Sequence, residues 1–250
     1  MKSVICNWKM NPRNFVEAKK LFDASKKLLS STRGVELVIA PPMPFLQELA
    51  KRYKGTRIEF AAQDISEEIE GSHTGDISAY QVKSAGATQV ILGHAERRAL
   101  GESDELVRDK VEVALGARLD VIIAVGEGER DAAGEYIVNV RRQINTALDQ
   151  VPEGKFKNVT IAYEPIWAIG APEAPNANEV HQMVLLVRKT VADEYGSKAM
   201  KDISIVYGGS VNDENAFEIL AVPGLDGVLV GRAGLDPKKL EVIIRAAASA

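Results

Sequence analysis

The feature that most constrains this chain is a recurrence of short β-branched, apolar segments, each followed by a stretch with helical periodicity. Most of these segments are continuously apolar, which is typical of parallel strands covered on both faces. Eight such units in 250 residues predict an α/β protein with a single (β/α)8 barrel over residues 1–250. The strand candidates are 3–7, 36–41, 57–63, 89–94, 120–126, 159–164, 203–208 and 226–231.

The alternative architecture is an open, doubly wound sheet. Its usual Gly-x-Gly-x-x-Gly turn is not found, because Gly126 and Gly128 are followed by Asp131 where the third glycine belongs. The sequence therefore favours the barrel.

Helix boundaries are predicted from capping residues. Asn11 is expected to cap the first helix, with Pro12 in its first turn. Ser103 is expected to open a helix that ends at Gly116 in the left-handed conformation. The pair Asp236-Pro237 is expected to begin the last helix.

Composition narrows the possible partners. Lys plus Arg total 31 and Asp plus Glu total 35, so the net charge of −4 argues against a general nucleic-acid or anionic-membrane binder. The apolar runs, such as 121–125, are far shorter than the roughly 20 residues of a membrane span. The first four residues lack a signal-peptide core, so we expect a cytoplasmic protein.

Disulfide and metal chemistry receive no support from the sequence. A single cysteine, Cys6, excludes an intramolecular disulfide and a cysteine-based zinc finger. His73 and His181 are typical of a loop and a helix face, and the metal-binding spacings His-x-x-x-His and His-Glu-x-x-His do not occur. We therefore expect neither a metal nor a cofactor.

Reactive side chains follow several of the predicted strands. Lys9 follows the first strand, His94 ends the fourth and Glu164 ends the sixth. Glycine-rich turns, 208–210 and Gly231, follow the seventh and eighth. The carboxyl ends of barrel strands meet at one rim, where active sites of such barrels lie. This combination predicts proton transfer on a small phosphorylated carbonyl compound.

Each of these residues has a chemical interpretation and a structural alternative. Desolvation at a strand end would raise the pKa of Glu164 and make it a general base, whereas a solvated carboxylate would be inert. His94 at a helix N-terminus would be neutral and donate to a carbonyl oxygen, but it is equally compatible with a core histidine. Lys9 would stabilise negative charge or be a surface lysine. Asn7 would hold Lys9, donate to substrate or cap a strand end.

Two further segments suit a phosphorylated ligand. The turns at Ser210 and Gly231 offer backbone N–H groups near predicted helix starts, and such groups bind phosphate. Residues 168–177 contain small side chains and two prolines, a pattern that favours a stiff lid. A simple connector is the alternative for this segment.

Five motifs in order along the whole chain resemble the triosephosphate isomerase family, whose members are TIM barrels. The strings are Asn7-Trp8-Lys9-Met10-Asn11, Gly71-Ser72-His73-Thr74-Gly75-Asp76, Gly93-His94-Ala95-Glu96-Arg97-Arg98, Ala162-Tyr163-Glu164-Pro165-Ile166-Trp167-Ala168-Ile169-Gly170 and Tyr207-Gly208-Gly209-Ser210-Val211. The resemblance implies interconversion of dihydroxyacetone phosphate and D-glyceraldehyde 3-phosphate, in glycolysis and gluconeogenesis, without cofactor or metal.

The resemblance also implies residue roles. Glu164 takes a proton from C1, His94 polarises the carbonyl and shuttles protons between the two oxygens, Lys9 stabilises the enediolate, and Asn7 helps to hold both Lys9 and substrate. Glu96 corresponds to a buried acid beside the site. Backbone N–H groups bind the phosphate, and two apolar side chains cover Glu164. The phosphate-binding residues are Gly170, Ser210, Gly231 and Arg232, and the covering residues are Ile169 and Leu229. A homodimer is expected, in which the loop around Thr74 reaches the Met10 region of the neighbour.

The chain departs from the family pattern at several positions. Ala95 replaces the usual serine, and Ala124 replaces a usual cysteine. The lid contains Pro172 and is shorter than usual, and Arg232 replaces a glycine beside the phosphate. The last two departures leave open a related isomerase that acts on a longer sugar phosphate, such as a tetrulose phosphate. A non-catalytic binding protein is a third possibility, although it would not need Lys9, His94 and Glu164.

Overall fold

Eight parallel strands close into a barrel, and each strand pairs with its neighbours in chain order. The computed structural model describes residues 1–168 and 175–250. The predicted barrel and all eight predicted strands are confirmed, with differences of one or two residues at strand ends. The strands are β1 (Lys2–Asn7), β2 (Val35–Ala40), β3 (Ile58–Ala62), β4 (Gln89–Leu92), β5 (Asp120–Val125), β6 (Val159–Tyr163), β7 (Ser204–Tyr207) and β8 (Gly227–Val230).

Two hydrophobic cores explain why the strands are continuously apolar. Along β1, Ile5 belongs to an inner core, whereas Val4 and Cys6 belong to the core that includes the helices. Successive side chains of a strand point to opposite faces, so both faces of the barrel wall are buried. The inner core consists of Ile5, Val38, Ala40, Ala61, Ile91, Ile122, Ala162, Val206 and Leu229.

The barrel closes where β8 meets β1. A Cβ atom on Gly227 would lie 2.0 Å from the Ser3 carbonyl oxygen, so only glycine allows this close approach. The register pairs Cys6 with Val230, which brings the residues after β1 next to those after β8. Residues that are far apart in the chain thus meet at the carboxyl-terminal rim.

Helices connect the strands on the outside of the barrel. Among the described residues, no helix combines the length and hydropathy that a segment crossing a bilayer requires. The helices are α1 (Phe15–Ser30), α2 (Met43–Arg52), α3 (Ala79–Ser84), α4 (Ala95–Arg98), α5 (Asp104–Gly116), α6 (Glu135–Leu148), α7 (Ala177–Asp202, with Gly196 in a non-helical conformation), α8 (Ala216–Leu220) and α9 (Pro237–Ser249). The 3-10 turns are Glu153–Asn158, Ile166–Ala168 and Arg232–Leu235.

The predicted caps at Ser103 and Asp236 are confirmed, because their side chains accept hydrogen bonds from the first turns of α5 and α9. The prediction that Asn11 caps α1 is wrong. The cap is Asn14, which accepts from the Glu17 N–H at 3.0 Å and donates to the Glu17 carboxylate at 2.9 Å. This reciprocal pair fixes the helix start three residues later.

The prediction that Gly116 ends α5 in the left-handed conformation is also wrong. Gly116 is the last helical residue, Ala117 follows as the cap, and the left-handed residue is Arg118, with φ of 61°. The N–H of Leu119 then donates to the Ala114 carbonyl at 2.9 Å, a bond that ties the start of β5 to the end of α5.

Candidate active site

A cavity of about 430 Å³ lies at the carboxyl-terminal rim of the barrel. Its wall combines residues that follow β1, β4, β7 and β8, as the sequence predicts for a barrel of this kind. The predicted site residues in this wall are Lys9, His94, Ser210, Gly231 and Arg232. Leu229, which was expected to cover Glu164, also lies in the wall and is 3% exposed.

Glu164 directly follows β6 and is buried, with 2% of its surface exposed. One carboxylate oxygen, Oε2, accepts from the Ala95 N–H at 3.2 Å. The other, Oε1, is buried and has no hydrogen-bond donor among the described residues. Burial raises the pKa of Glu164, while His94, the Ala95 N–H and the charge of Lys9 oppose the shift. A carboxylate with one uncommitted oxygen and a raised pKa can accept a proton.

The space beside Glu164 depends on Gly208. A Cβ atom at that position would lie 2.8 Å from Cγ of Glu164. The Gly208 N–H donates to the Tyr163 carbonyl at 2.8 Å, which keeps the turn after β7 close to β6. The glycine that was interpreted as part of a phosphate-binding turn therefore also leaves room for the carboxylate.

His94 is buried and caps the short helix α4. Its Nδ1 accepts from the Glu96 N–H at 3.1 Å. A nitrogen that accepts carries no proton, so the neutral imidazole has its proton on Nε2. Nε2 lies 3.6 Å from the uncommitted Glu164 Oε1. Glu164, the predicted base, and His94, the predicted hydrogen-bond donor, therefore lie next to each other.

The backbone of Lys9 is held from two sides in a conformation with φ of 51°. The side chain of Asn7 accepts from the Lys9 N–H at 3.0 Å. The side-chain amide of Gln63 donates at 2.8 Å to the carbonyl oxygens of both Lys9 and Ala40. These contacts fix the residue from which the Lys9 side chain extends to the cavity.

The expectation that Glu96 is a buried acid is wrong, because 63% of its side chain is exposed. Glu96 lies in the single turn of α4, and at the rim its carboxylate accepts from Lys9 Nζ at 2.7 Å. Partial burial opposes the shift, but the hydrogen bond and charge of Lys9 lower the pKa of Glu96. The ion pair at the rim therefore determines where this side chain lies.

The predicted phosphate-binding residues are brought together only in part. Ser210, Gly231 and Arg232 line the same cavity, and a Cβ atom on Gly231 would lie 3.7 Å from Lys9 Cε. Gly170 and Ile169 fall outside the described residues, as does most of the predicted lid 168–177.

Sequence reasoning missed two residues that support the site. Gln63, which holds Lys9, ends the third predicted strand. Glu127 follows the fifth, and its Oε1 accepts from the Tyr163 hydroxyl at 2.7 Å and from Trp167 Nε1 at 2.9 Å. Both follow strand ends, so the rule that found Lys9 also applies to them. Gln63 was missed because its amide does not titrate, and Glu127 because it was considered only as part of the glycine pattern at 126–128.

Within the ranges 1–168 and 175–250, no group of three His, Cys, Asp or Glu side chains is arranged to hold a metal ion. The described rim instead offers an imidazole and an ammonium group in the wall of a mainly basic cavity. The buried carboxylate of Glu164 does not line this cavity itself but lies 3.6 Å from the imidazole of His94, which does. This arrangement can move protons on an anionic carbonyl compound without a metal ligand set. Fold and site together define a (β/α)8 barrel with acid–base chemistry at its carboxyl-terminal rim.

Comparisons with known proteins give the family. Residues 2–247 match the family model described as triosephosphate isomerase. The chain belongs to the triosephosphate isomerase family. It is similar to the triosephosphate isomerase of Symbiobacterium thermophilum, with 40% identity over 99% of this chain and 97% of that protein. It is 41% identical to that of Treponema denticola, over 93% of each. A solved triosephosphate isomerase structure from Bartonella henselae has a TM-score of 0.88 and 32% identity, covering 98% of each chain.

Proposed function

We propose that this protein interconverts dihydroxyacetone phosphate and D-glyceraldehyde 3-phosphate through an enediolate. The observation that carries the proposal is the buried, uncommitted Oε1 of Glu164, 3.6 Å from His94 Nε2. A base and a hydrogen-bond donor at this separation suit two adjacent carbon centres of one small substrate. Membership of the family supports the same reaction.

The proton transfers balance without an external reagent. Glu164 Oε1 takes a proton from C1 of dihydroxyacetone phosphate, and the electron pair of that C–H bond forms the enediolate. His94 gives its Nε2 proton to the C2 oxygen and takes the proton of the C1 hydroxyl. Glu164 returns its proton to C2. These are the roles that the family assigns to its glutamate and neutral histidine.

Lys9 supplies positive charge to the enediolate in this proposal. Its ammonium is paired with Glu96 in the described structure, at 2.7 Å, and the same side chain lines the cavity. A cation placed where negative charge develops lowers the barrier to proton abstraction. Asn7 acts here by accepting from the Lys9 N–H, which orients the lysine.

The phosphate is bound by backbone N–H groups after β7 and β8. We assign Ser210, Gly231 and Arg232 to this role because they line the cavity that contains Lys9 and His94. Gly170, which lies outside the described residues, is included from the family pattern alone.

Two properties of the whole protein belong to the proposal. We propose a homodimer in which the loop around Thr74 reaches the Met10 region of the partner; Thr74 is exposed, and Met10 is 92% exposed. We also propose that residues 1–250 act as one catalytic unit in cytoplasmic glycolysis and gluconeogenesis. Charged sugar phosphates cross membranes poorly, so an enzyme that uses them acts where they are made.

A steady-state assay in both directions with the three-carbon substrates tests the proposal, with Glu164→Gln as the control for contaminating isomerase. The expected result is turnover that the variant lacks. A kcat/KM that favours a tetrulose phosphate by tenfold or more would instead assign the longer substrate. Binding of 2-phosphoglycolate, an enediolate mimic, without turnover of either substrate would indicate a binding protein.

A further inference from the structure

The cavity wall contains a basic side chain without a counter-charge among the described residues. Lys9 pairs with Glu96 at 2.7 Å, and Lys239 pairs with Asp213 at 3.2 Å. The guanidinium of Arg232 makes no ion pair and no side-chain hydrogen bond within 1–168 and 175–250. The charged side chains of the cavity wall are Lys9, Arg232, Lys239 and Asp236.

Asn212 and Asp236, two other polar residues of the cavity wall, each accept a hydrogen bond within local structure. Asn212 Oδ1 accepts from the Glu214 N–H at 2.8 Å. Asp236 Oδ1 accepts from the Lys238 N–H at 2.8 Å and so caps α9. An anionic ligand in this cavity would therefore meet Arg232 as the cationic side chain that is not paired with a carboxylate among the described residues.

The position of Arg232 places its side chain next to the backbone assigned to the phosphate. It follows Gly231 directly after β8, is exposed, and lines the cavity. The Cβ position of Gly231 is 3.7 Å from Lys9 Cε, so the residue before Arg232 lies in contact with the Lys9 side chain. Because Lys9 and Arg232 both line the cavity, a ligand there has two cations in the surrounding wall.

We propose that the Arg232 side chain binds the phosphate dianion of the ligand, in addition to the backbone N–H groups of the turns. A guanidinium presents parallel N–H donors that match two phosphate oxygens, and hydrogen bonds between charged partners are stronger than neutral ones. Backbone N–H groups contribute only partial charges. The substrate's identity rests on the proposed function, whereas recognition of a phosphate dianion does not.

Two probes test the proposal by calorimetry on the full-length protein: inorganic phosphate and 2-phosphoglycolate. Arg232→Ala is expected to weaken both by about tenfold or more, with a loss that shrinks as salt is added. Arg232→Lys is expected to be intermediate, because it keeps the charge but loses the paired donors. Lys238→Ala, which removes a neighbouring cation outside the cavity wall, is the matched control and is expected to change affinity by less than about twofold.

Kinetics give an independent readout. Because the phosphate stays attached to the substrate in the transition state, Arg232→Ala is expected to lower kcat/KM by at least the factor seen in binding. The thermal midpoint of each variant shows that the fold is intact. An unchanged or tighter affinity in Arg232→Ala overturns the proposal, and so does an equal loss in Lys238→Ala.

Failure of this inference and failure of the proposed function give different results. Phosphate binding that depends on Arg232, without triose phosphate turnover, keeps the inference and rejects the function. Wild-type turnover with an unaffected Arg232→Ala variant rejects the inference alone. A wild-type protein that binds neither probe rejects both.

Discussion

Two buried glutamates on the same side of the barrel have opposite surroundings. The Glu102 side chain is 2% exposed and is paired with the ammonium of Lys110, which also contacts Asp64 at 2.9 Å. The Glu164 side chain is equally buried, but its hydrogen bond comes from the neutral N–H of Ala95. Each carboxylate has one oxygen without a donor among the described residues. The two glutamates therefore differ in the partner of the other oxygen, which is an ammonium group for Glu102 and a neutral N–H for Glu164.

The difference supports a structural role for Glu102 and is consistent with the catalytic role that we propose for Glu164. A buried carboxylate that is paired with an opposite charge fixes the segments that carry the two groups. Asp64 follows Gln63, whose side-chain amide holds the Lys9 backbone. The cluster of Glu102, Lys110 and Asp64 therefore also stabilises the segment that positions Lys9. A buried carboxylate without a cation at contact distance has a pKa raised by desolvation, as burial does for Glu164.

The largest effect is expected for a change at Glu164, the buried glutamate that is not paired with a cation. Glu164→Gln keeps an acceptor for the Ala95 N–H but removes the carboxylate that we propose as the base. We expect kcat/KM for the triose phosphates to fall by about a thousandfold or more. Steady-state kinetics measure this loss, and a fall of less than about tenfold would exclude Glu164 as the base.

The corresponding change at Lys110, the ion-pair partner of Glu102, should lower the stability of the fold. Lys110→Met leaves the carboxylate of Glu102 buried without its ammonium partner, whereas the partly exposed Asp64 keeps its pair with Arg97 at 2.9 Å, so we expect a loss of about 3–5 kcal/mol in the free energy of unfolding. Denaturant titration measures it. The control is Lys189→Met, which breaks an exposed pair with Asp193 and should cost less than about 0.5 kcal/mol. Equal losses in the two variants would contradict a structural role for the cluster.

A third prediction concerns Lys9, the lysine that lines the cavity together with His94. Lys9→Ala should lower kcat/KM by about a hundredfold to a thousandfold, because a cation near the developing oxyanion is lost. The backbone contacts of Lys9 with Asn7 and Gln63 do not depend on its side chain, so the thermal midpoint should change little. Lys19→Ala, in an exposed pair on α1, is the control. A change below tenfold would remove Lys9 from the proposed mechanism.

The smallest expected effect is on the pH dependence of stability. Burial raises the pKa of Glu164 in the folded state above its ordinary value of 4.5. The folded state therefore holds this proton more tightly, and stability is lost as pH rises from the ordinary value through the raised one. Glu164→Gln should be more stable than wild type at neutral pH, and this advantage should disappear below about pH 4. A difference in thermal midpoint that does not vary with pH would contradict this.

The sequence by itself determined the barrel, because continuous apolar runs of strand length require burial on both faces and eight of them close on one another. It also determined that Lys9, His94 and Glu164 follow strands, and parallel closure then brings all strand ends to one rim. Local capping was readable at Ser103 and Asp236. Two asparagines, Asn11 and Asn14, precede α1, and Asn14 is the cap because it exchanges hydrogen bonds with Glu17.

Only the tertiary structure decided which charges are paired. Lys110 and Asp64 are 46 residues apart, and Lys9 and Glu96 are 87 apart, so no local pattern links them. The exposure of Glu96 depends on an ion pair that forms only when β1 and α4 meet at the rim. The same holds for Glu164, whose raised pKa depends on the burial and neighbouring groups that distant strands supply. Protonation and pairing depend on surroundings, and these exist only after the barrel has closed.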